Sequence, residues 1–287
     1  MEFVLLLTGC VVFPFLHCSS LYFVSRIIPG RPKGLYYAIS TRLVSFLQAV
    51  CASCVGLQVI LKCNNVMKDR FSSVNYYAWF GFSYFYYDLG AMFLESYHSF
   101  PNDSLITNCH RLLAKKWLIV LHHIFLPIFG FPMIVFYRRG LGDFFVGCIY
   151  LAEMSTPFLS VHAILRKLDM QKHIIFKVNG FLLAISFFIG RIFVFPFMYY
   201  SYAKHSDLYI WQVPFKIPLL CNISCFGLLT VQLVWFITIV RQVVAFMKTF
   251  MTSYKDEDSV HHQTRSFSKN NNSQTLNSTL LSNDKER

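Results

Sequence analysis

Long apolar stretches separated by short polar and basic segments dominate the chain. An apolar run of about 20 residues forms a helix long enough to cross the roughly 30 Å hydrocarbon layer of a bilayer. Such runs extend from about Phe3 to Ser25, Leu35 to Leu61, Tyr76 to Tyr97, Lys116 to Phe136, Asp143 to Ile164, Val178 to Tyr202 and Val213 to Val240. The pattern predicts an all-α, polytopic membrane protein with about seven transmembrane helices.

Composition supports a membrane protein. Hydrophobic residues make up 55% of the chain and charged residues 14%, whereas a soluble domain has about 25% charged residues. The net charge of +12 comes largely from the segments between the apolar runs, so it does not indicate nucleic-acid binding. The nine cysteines lie mostly inside apolar runs. The pair Cys51-x-x-Cys54 has no second pair, so we expect small hydrophobic residues rather than a disulfide framework or a redox or zinc site.

The distribution of basic residues predicts the orientation of the helices. Loops after the first, third and fifth helices, with the start of the tail, hold Arg26, Arg31, Lys33, Arg111, Lys115, Lys116, Arg166, Lys167, Lys172, Lys177, Arg241, Lys248 and Lys255. The opposite side holds Lys62, Lys68, Arg70, Arg138, Arg139, Lys204 and Lys216. Because the more basic side faces the cytosol, we expect a luminal or external N-terminus and a cytosolic C-terminus.

The sequence divides into three regions. Residues 1–34 contain the first helix and a basic loop, and residues 35–248 contain six further helices. The first apolar run has no basic residues before it, which indicates a retained helix rather than a cleaved signal peptide. Residues 249–287 are polar and rich in Ser and Asn, so we expect a disordered cytosolic tail. Its glycosylation patterns at Asn271 and Asn277 would then remain unused.

Several ionisable residues lie inside the apolar runs. Charge at the bilayer centre costs roughly 2.5 to 3.5 kcal/mol, so such residues are expected to pair or to meet in one polar cavity. They are Arg42, Asp88, His122, His123, Glu153 and Arg191. The neighbouring histidines point about 100° apart on a helix, so one is expected to line the cavity and the other to bond a neighbouring helix. The alternative is that these groups only hold helices together through hydrogen bonds.

These residues lie within a set of motifs that resembles the TLC domain family, which includes ceramide synthases and the translocating-chain-associated membrane protein. The matching segments are Ser40-Thr41-Arg42-Leu43-Val44-Ser45, Tyr87-Asp88, His122-His123, Gly142-Asp143-Phe144-Phe145, Ala152-Glu153-Met154-Ser155-Thr156-Pro157-Phe158, Val178-Asn179-Gly180 and Arg191. They extend from about residue 35 to residue 245, and within the family the chain most resembles the subgroup called TLC domain-containing protein 3. Residues 35–248 are accordingly interpreted as the TLC domain.

The resemblance implies an active site with one departure. In ceramide synthases, paired histidines and an Asp-x-x-Asp motif on the following helix join an acyl chain from acyl-CoA to a sphingoid amine. Here His122 and His123 match the pair, Glu153 matches the first acid, and Thr156 stands at the position of the second acid. Asp88 or Asp143 could supply the missing carboxylate.

The first functional hypothesis is therefore a ceramide synthase-like N-acyltransferase. His122 or His123 would take the proton from the amine or first accept the acyl group, while Asp88 and Glu153 would hold the cationic amine. The residues Arg42, Asp143, Thr156 and Arg191 are assigned to substrate binding. No metal or cofactor is expected beyond acyl-CoA as a co-substrate, and the basic cytosolic loops would attract the phosphates of coenzyme A.

The second hypothesis is a non-catalytic lipid-binding or regulatory protein that senses or adjusts membrane lipid composition, and Thr156 at the position of the second acid favours it. A seven-helix receptor is disfavoured because the third helix ends in Glu95-Ser96-Tyr97 rather than Asp-Arg-Tyr. The resemblance implies residence in the endoplasmic reticulum membrane, with Golgi or plasma membrane as alternatives. Whether the protein forms a homo- or hetero-oligomer is left open.

Overall fold

A computed structural model describes residues 1–245, which form helices and loops and contain no strand. The helices are α1 (Glu2–Ile27), α2 (Lys33–Lys62), α3 (Ser72–Ser99), α4 (Leu105–Tyr137), α5 (Asp143–Lys167), α6 (Ile174–His205), α7 (Val213–Lys216) and α8 (Leu219–Ala245). All contacts described below lie within Met1–Phe236. The predicted disordered tail, with Asn271 and Asn277, lies outside the described residues.

Six of the described helices, all but α3 and the short α7, are long and apolar enough to span a membrane. The chain is therefore an all-α, multi-pass membrane protein. The helix α3 has 28 residues and is rich in tyrosine. It runs beside α2 from end to end, because Gly34 lies against Ser99 and Val59 packs with Val74. The helix α3 therefore extends along the length of α2, and the seventh traversal that the sequence predicts, through α3, stays a prediction.

Tyrosine hydroxyls of α3 are hydrogen bonded to other helices. Tyr77 Oη accepts from Gln48 Nε2 at 2.7 Å, and Tyr84 Oη donates to Ser45 Oγ at 2.9 Å. These bonds satisfy polar groups that hydrocarbon could not satisfy. They explain how a helix with a relatively polar composition is placed among apolar neighbours.

The fourth helix begins earlier than the sequence predicts. Ser104 caps it, accepting a hydrogen bond from the backbone N–H of Thr107 at 3.2 Å, and the helix begins at Leu105. The apolar pattern begins only at Lys116, where the backbone leaves helical geometry (φ −130°, ψ 22°). The basic residues that precede Lys116 therefore lie on a helix rather than in a loop. The apolar run marks only the membrane-spanning part of α4, because the first turns of this helix are polar.

The last predicted run is divided in the structure. The short helix Val213–Lys216 ends before Pro218, and α8 begins at Leu219. Proline has no backbone N–H and clashes with the preceding turn, so a single helix through Pro218 is disfavoured. The predicted helix from Val213 to Val240 is wrong in its first turns and right from Leu219 onward.

Close contact between α2 and α5 forms the middle of the bundle. A Cβ atom on Gly56 would lie 2.5 Å from the carbonyl oxygen of Gly147 and 2.7 Å from the amide nitrogen of Leu151. Only glycine permits this approach of the two backbones, in the manner of small residues at membrane helix interfaces. The contact fixes α5 against α2, and α5 contains Glu153.

The loop between α2 and α3 is organised by Asp69. Its Oδ2 accepts from the backbone N–H groups of Asn65 at 2.9 Å and Asn64 at 2.7 Å. These hydrogen bonds, that of Asn65 first, hold the pKa of the Asp69 carboxyl below its usual range. The loop therefore keeps an ionised carboxylate at its centre at neutral pH.

Candidate functional site

Asp88 of α3 and His123 of α4 face each other between the two helices. His123 Nδ1 lies 3.4 Å from Asp88 Oδ2, and the two residues are only 7% and 5% exposed. The separation suits an ion pair but exceeds a good hydrogen bond. Neither His123 Nδ1 nor Asp88 Oδ1 has a hydrogen-bond partner among the described residues. A buried imidazole and carboxylate with unused bonding capacity are unusual and indicate a ligand or water position.

His122 points away from this pair, as expected for adjacent residues on a helix. It is partly buried and lies within electrostatic range of Glu153 and Arg191. The rings of Phe85 and His123 lie 6.4 Å and 5.5 Å from its imidazole, between ring centroids. The two histidines thus extend one polar region from α3 towards α5 and α6.

Glu153, Thr156 and Arg191 form a hydrogen-bonded group across α5 and α6. Thr156 Oγ1 donates to Glu153 Oε2 at 2.7 Å and accepts from Arg191 Nη2 at 2.8 Å. Arg191 Nη2 also lies 3.4 Å from Glu153 Oε2, and its Nε donates to Ser155 Oγ at 2.9 Å. The Arg191 side chain is 10% exposed and that of Glu153 is 28% exposed. The positive charge of Arg191 therefore offsets the negative charge of Glu153, and the Glu153 side chain remains partly exposed.

Irregular helical segments present these groups. Residues Ala152–Ser155 form a 3₁₀ turn within α5, and Phe188–Phe193 form a π-helical segment within α6. Such local departures from the α-helix are frequent at functional sites. A Cβ on Gly190 would lie 3.0 Å from the carbonyl oxygen of Leu151, so a glycine lets the two segments approach closely. This approach brings Arg191 to Glu153.

The structure thus brings together six of the eight residues that the sequence assigns to the site. The polar cluster is defined as Asp88, His122, His123, Glu153, Thr156 and Arg191. Arg42 lies beside it on α2, close enough to act electrostatically on Asp88, and lines a separate cavity. Within residues 1–245, no three His, Cys, Asp or Glu side chains are grouped so as to hold a metal ion.

Asp143 lies away from the polar cluster. It is the first residue of α5, ten residues before Glu153, which corresponds to about 15 Å along a helix. Its carboxylate pairs with Arg138 and accepts from the backbone N–H of Phe71 at 2.6 Å. Arg138 also donates to Asn75 Oδ1 at 2.7 Å. The structure gives Asp143 an anchoring role at this end of the bundle and does not bring it to the histidines.

Two features of the site are not predicted from the sequence. Ser155 holds the Nε of Arg191, although the motif that contains it gives it no role. His17 of α1 bonds Tyr87 Oη through Nδ1 at 2.7 Å, so Tyr87 faces α1 while its neighbour Asp88 faces α4. The role of Ser155 could have been suggested by its hydroxyl, which lies two residues after Glu153 in the chain. The contact of His17 with Tyr87 could have been suggested by the presence of a single histidine in the first apolar run.

Comparisons with known proteins agree with the motifs. The family profile described as the TLC domain matches residues 38–241, more than half of the chain and a range that includes the whole polar cluster. TLC domain-containing protein 4 A of Dictyostelium discoideum is 30% identical over 105 residues, which make up 36% of this chain and 39% of that protein. The match thus spans about two fifths of that relative. No solved structure matches the chain.

Proposed function

Because the chain belongs to the TLC domain family, we propose that it is a ceramide synthase-like N-acyltransferase, which joins an acyl chain from acyl-CoA to a sphingoid base within the membrane. The subgroup within the family stays a prediction. The observation that supports the activity most is the buried pair of His123 and Asp88, in which His123 Nδ1 and Asp88 Oδ1 have no hydrogen-bond partner among residues 1–245.

The proposed reaction requires a base and a binding site for a cation. A sphingoid amine is protonated at neutral pH, so its proton must leave before the nitrogen can attack the thioester carbonyl. With Asp88 beside Nδ1, His123 is favoured in the tautomer that has hydrogen on Nδ1 and a lone pair on Nε2. Nε2 can then accept the amine proton. The carbon–sulfur bond breaks as the amide forms, and coenzyme A leaves as the thiol.

His122 and Glu153 complete the proposal. His122 lies on the side of Glu153 and Arg191, where it could instead accept the acyl group first as an acyl-imidazole. The partly exposed Glu153 carboxylate can attract the ammonium group of the sphingoid base before deprotonation. Asp88, His122, His123 and Glu153 are the proposed catalytic residues, while Thr156 and Arg191 orient Glu153. Arg42 is proposed to bind substrate from the neighbouring cavity.

The test is ceramide formation from labelled sphinganine and a panel of acyl-CoAs by the purified protein. The double variant His122→Ala/His123→Ala should lose turnover by about 10²-fold or more, the usual minimum contribution of a general base. His110→Ala is the matched control, because His110 lies exposed on the same helix and should leave turnover unchanged. Undiminished activity of a folded double variant would rule out this mechanism.

A second candidate function is a non-catalytic lipid-binding or regulatory protein. It is favoured by the engagement of Glu153, whose Oε2 already interacts with Thr156 and Arg191. A carboxylate compensated in this way attracts a substrate cation less strongly. Binding of sphinganine or ceramide by folded wild-type protein, without turnover of any acyl-CoA, would favour this function. Residence in the endoplasmic reticulum is a further prediction, and the oligomeric state is left open.

A further inference from the structure

A cavity of about 160 Å³ lies between α2, α3, α4 and α5, beside the polar cluster. Its charged lining consists of Arg42, Glu95, Lys116 and Lys167. Small and apolar side chains, among them Ala38, form the rest of the wall. Four charged side chains, three of them cationic, are thus set in an otherwise apolar wall.

Glu95 joins three helices at this cavity. Its Oε2 accepts from Lys116 Nζ of α4 at 2.8 Å, and its Oε1 accepts from Lys167 Nζ of α5 at 2.9 Å. The Glu95 side chain is 12% exposed, while those of Lys116 and Lys167 are 26% and 46% exposed. The interruption of α4 lies at Lys116 itself. Both lysines are thus held in position by one carboxylate while their side chains stay partly exposed.

The cavity has more positive than negative charge. Three cationic side chains face one carboxylate, which gives a net charge of +2. Arg42 forms no ion pair with any residue in the described part of the chain. Like charges held close together repel one another. A bound anion with about two negative charges would relieve this repulsion, and a phosphate monoester has that charge at neutral pH.

The cavity opens at one end of the bundle. Lys167 is the last residue of α5, and Glu95 lies four residues before the end of α3. The basic loops predict that this end faces the cytosol, at the level of lipid headgroups and of soluble carriers. Lys116 precedes His123 by seven residues, or about 10 Å along the helix axis. A ligand with its head in the cavity can therefore extend to the polar cluster.

We propose that this cavity binds a phosphate ester, with Arg42, Lys116 and Lys167 contacting the phosphate and Glu95 competing with it for the two lysines. Arginine suits the site because its planar guanidinium binds two phosphate oxygens at once. The phosphate belongs to coenzyme A or to a phospholipid headgroup, which share this chemistry. This proposal adds a binding site to the proposed function. It rests on that function only where coenzyme A is the ligand.

The test measures equilibrium binding without turnover. One arm uses coenzyme A with the full-length protein in a neutral detergent, and the other uses nanodiscs with phosphatidic acid or only phosphatidylcholine. The double variant Lys116→Gln/Lys167→Gln should weaken binding of at least one phosphate probe by about tenfold or more, the effect of losing charge-assisted hydrogen bonds. Lys172→Gln, an exposed lysine on the same predicted side that does not line the cavity, should bind as wild type.

Glu95→Gln distinguishes a binding site from a structural ion-pair group. The change raises the net charge of the cavity and removes the competing carboxylate, so it should tighten phosphate binding. If the group is only structural, Glu95→Gln weakens or leaves unchanged the affinity for both probes, and the proposal is overturned. Equal affinities of wild type and the folded lysine variant would also overturn it.

The outcome is independent of the proposed reaction. His122→Ala/His123→Ala leaves the cavity lining intact, so its affinity for the phosphate probes should equal that of wild type. Binding of coenzyme A supports a carrier in this cavity, and binding of phosphatidic acid alone supports a lipid headgroup. Absence of turnover together with cavity-dependent phosphate binding would reject the acyltransferase and leave the phosphate site standing.

Discussion

The hydroxyl of Thr156 stands between a carboxylate and a guanidinium. It donates to Glu153 and accepts from Arg191, so it uses both bonding capacities of a hydroxyl. An aspartate at this position would place a second carboxylate beside Glu153 and change the charge that Arg191 must compensate. The residue that departs from the family motif is therefore an integral part of the hydrogen-bonded group around Glu153.

We expect Thr156→Val to destabilise the protein by about 1–2 kcal/mol, because it preserves shape but leaves Glu153 and Arg191 each without one partner. Thr156→Ser retains the hydroxyl and serves as the matched control. Thermal unfolding of the purified variants in one detergent measures the difference. A valine variant as stable as the serine variant would show that the hydroxyl bonds contribute nothing to folding.

At the scale of the element, close approach of helices determines where the site groups meet. Gly56 permits α2 to contact α5, and Gly190 permits the π-helical segment of α6 to contact the 3₁₀ turn of α5. Irregular turns then direct Glu153 and Arg191 towards each other. The contacts are between backbones, so they tolerate little added volume.

Gly56→Ala should destabilise the bundle by about 1–3 kcal/mol, since its methyl group would overlap the backbone of α5. Gly90→Ala is the control: Gly90 lies in α3 with no neighbouring atom within 4 Å of the position that a methyl group would take, and alanine is the better helix former. Denaturant unfolding followed by circular dichroism compares the two. Equal stability of Gly56→Ala and wild type would mean that α2 and α5 can separate without cost.

At the scale of the whole molecule, the number of traversals decides which loops share a side of the membrane. The helix α3 lacks the apolar composition of the other long helices, yet it runs beside α2 along its full length. If α3 spans the membrane, the loops before and after it lie on opposite sides. The loop after it lies between Glu95 and Lys116 in the chain, so this assignment also decides on which side of the membrane the cavity lined by these two residues lies.

Labelling of single cysteines tests the assignment. In a background without native cysteines, Asn102→Cys should react with an impermeant maleimide added outside sealed microsomes. Lys68→Cys should react only after the membrane is opened, because the basic loops place it on the luminal side. Both residues are exposed, so burial does not limit the reaction. Equal labelling of the two sites would contradict a membrane-spanning α3, and reversed labelling would contradict only the predicted orientation.

Hydrophobic patterning by itself determined the helical class, the approximate membrane segments and the presence of ionisable groups inside them. These properties depend on residues close together in sequence, so a single chain is enough to read them. The motif around His122 and Glu153 indicated the candidate site for the same reason. The beginnings of α4 and α8 were missed or misplaced, because capping by Ser104 and interruption by Pro218 are not signals of hydropathy.

Only the tertiary structure decided which polar groups meet. It paired His123 with Asp88, joined Glu153 to Arg191 through Thr156, and placed Asp143 with Arg138 at another end. It also assembled Glu95, Lys116 and Lys167 from three helices. These pairings depend on the rotation and axial position of each helix. Both are set by backbone contacts such as that of Gly56 with α5, between residues far apart in the chain.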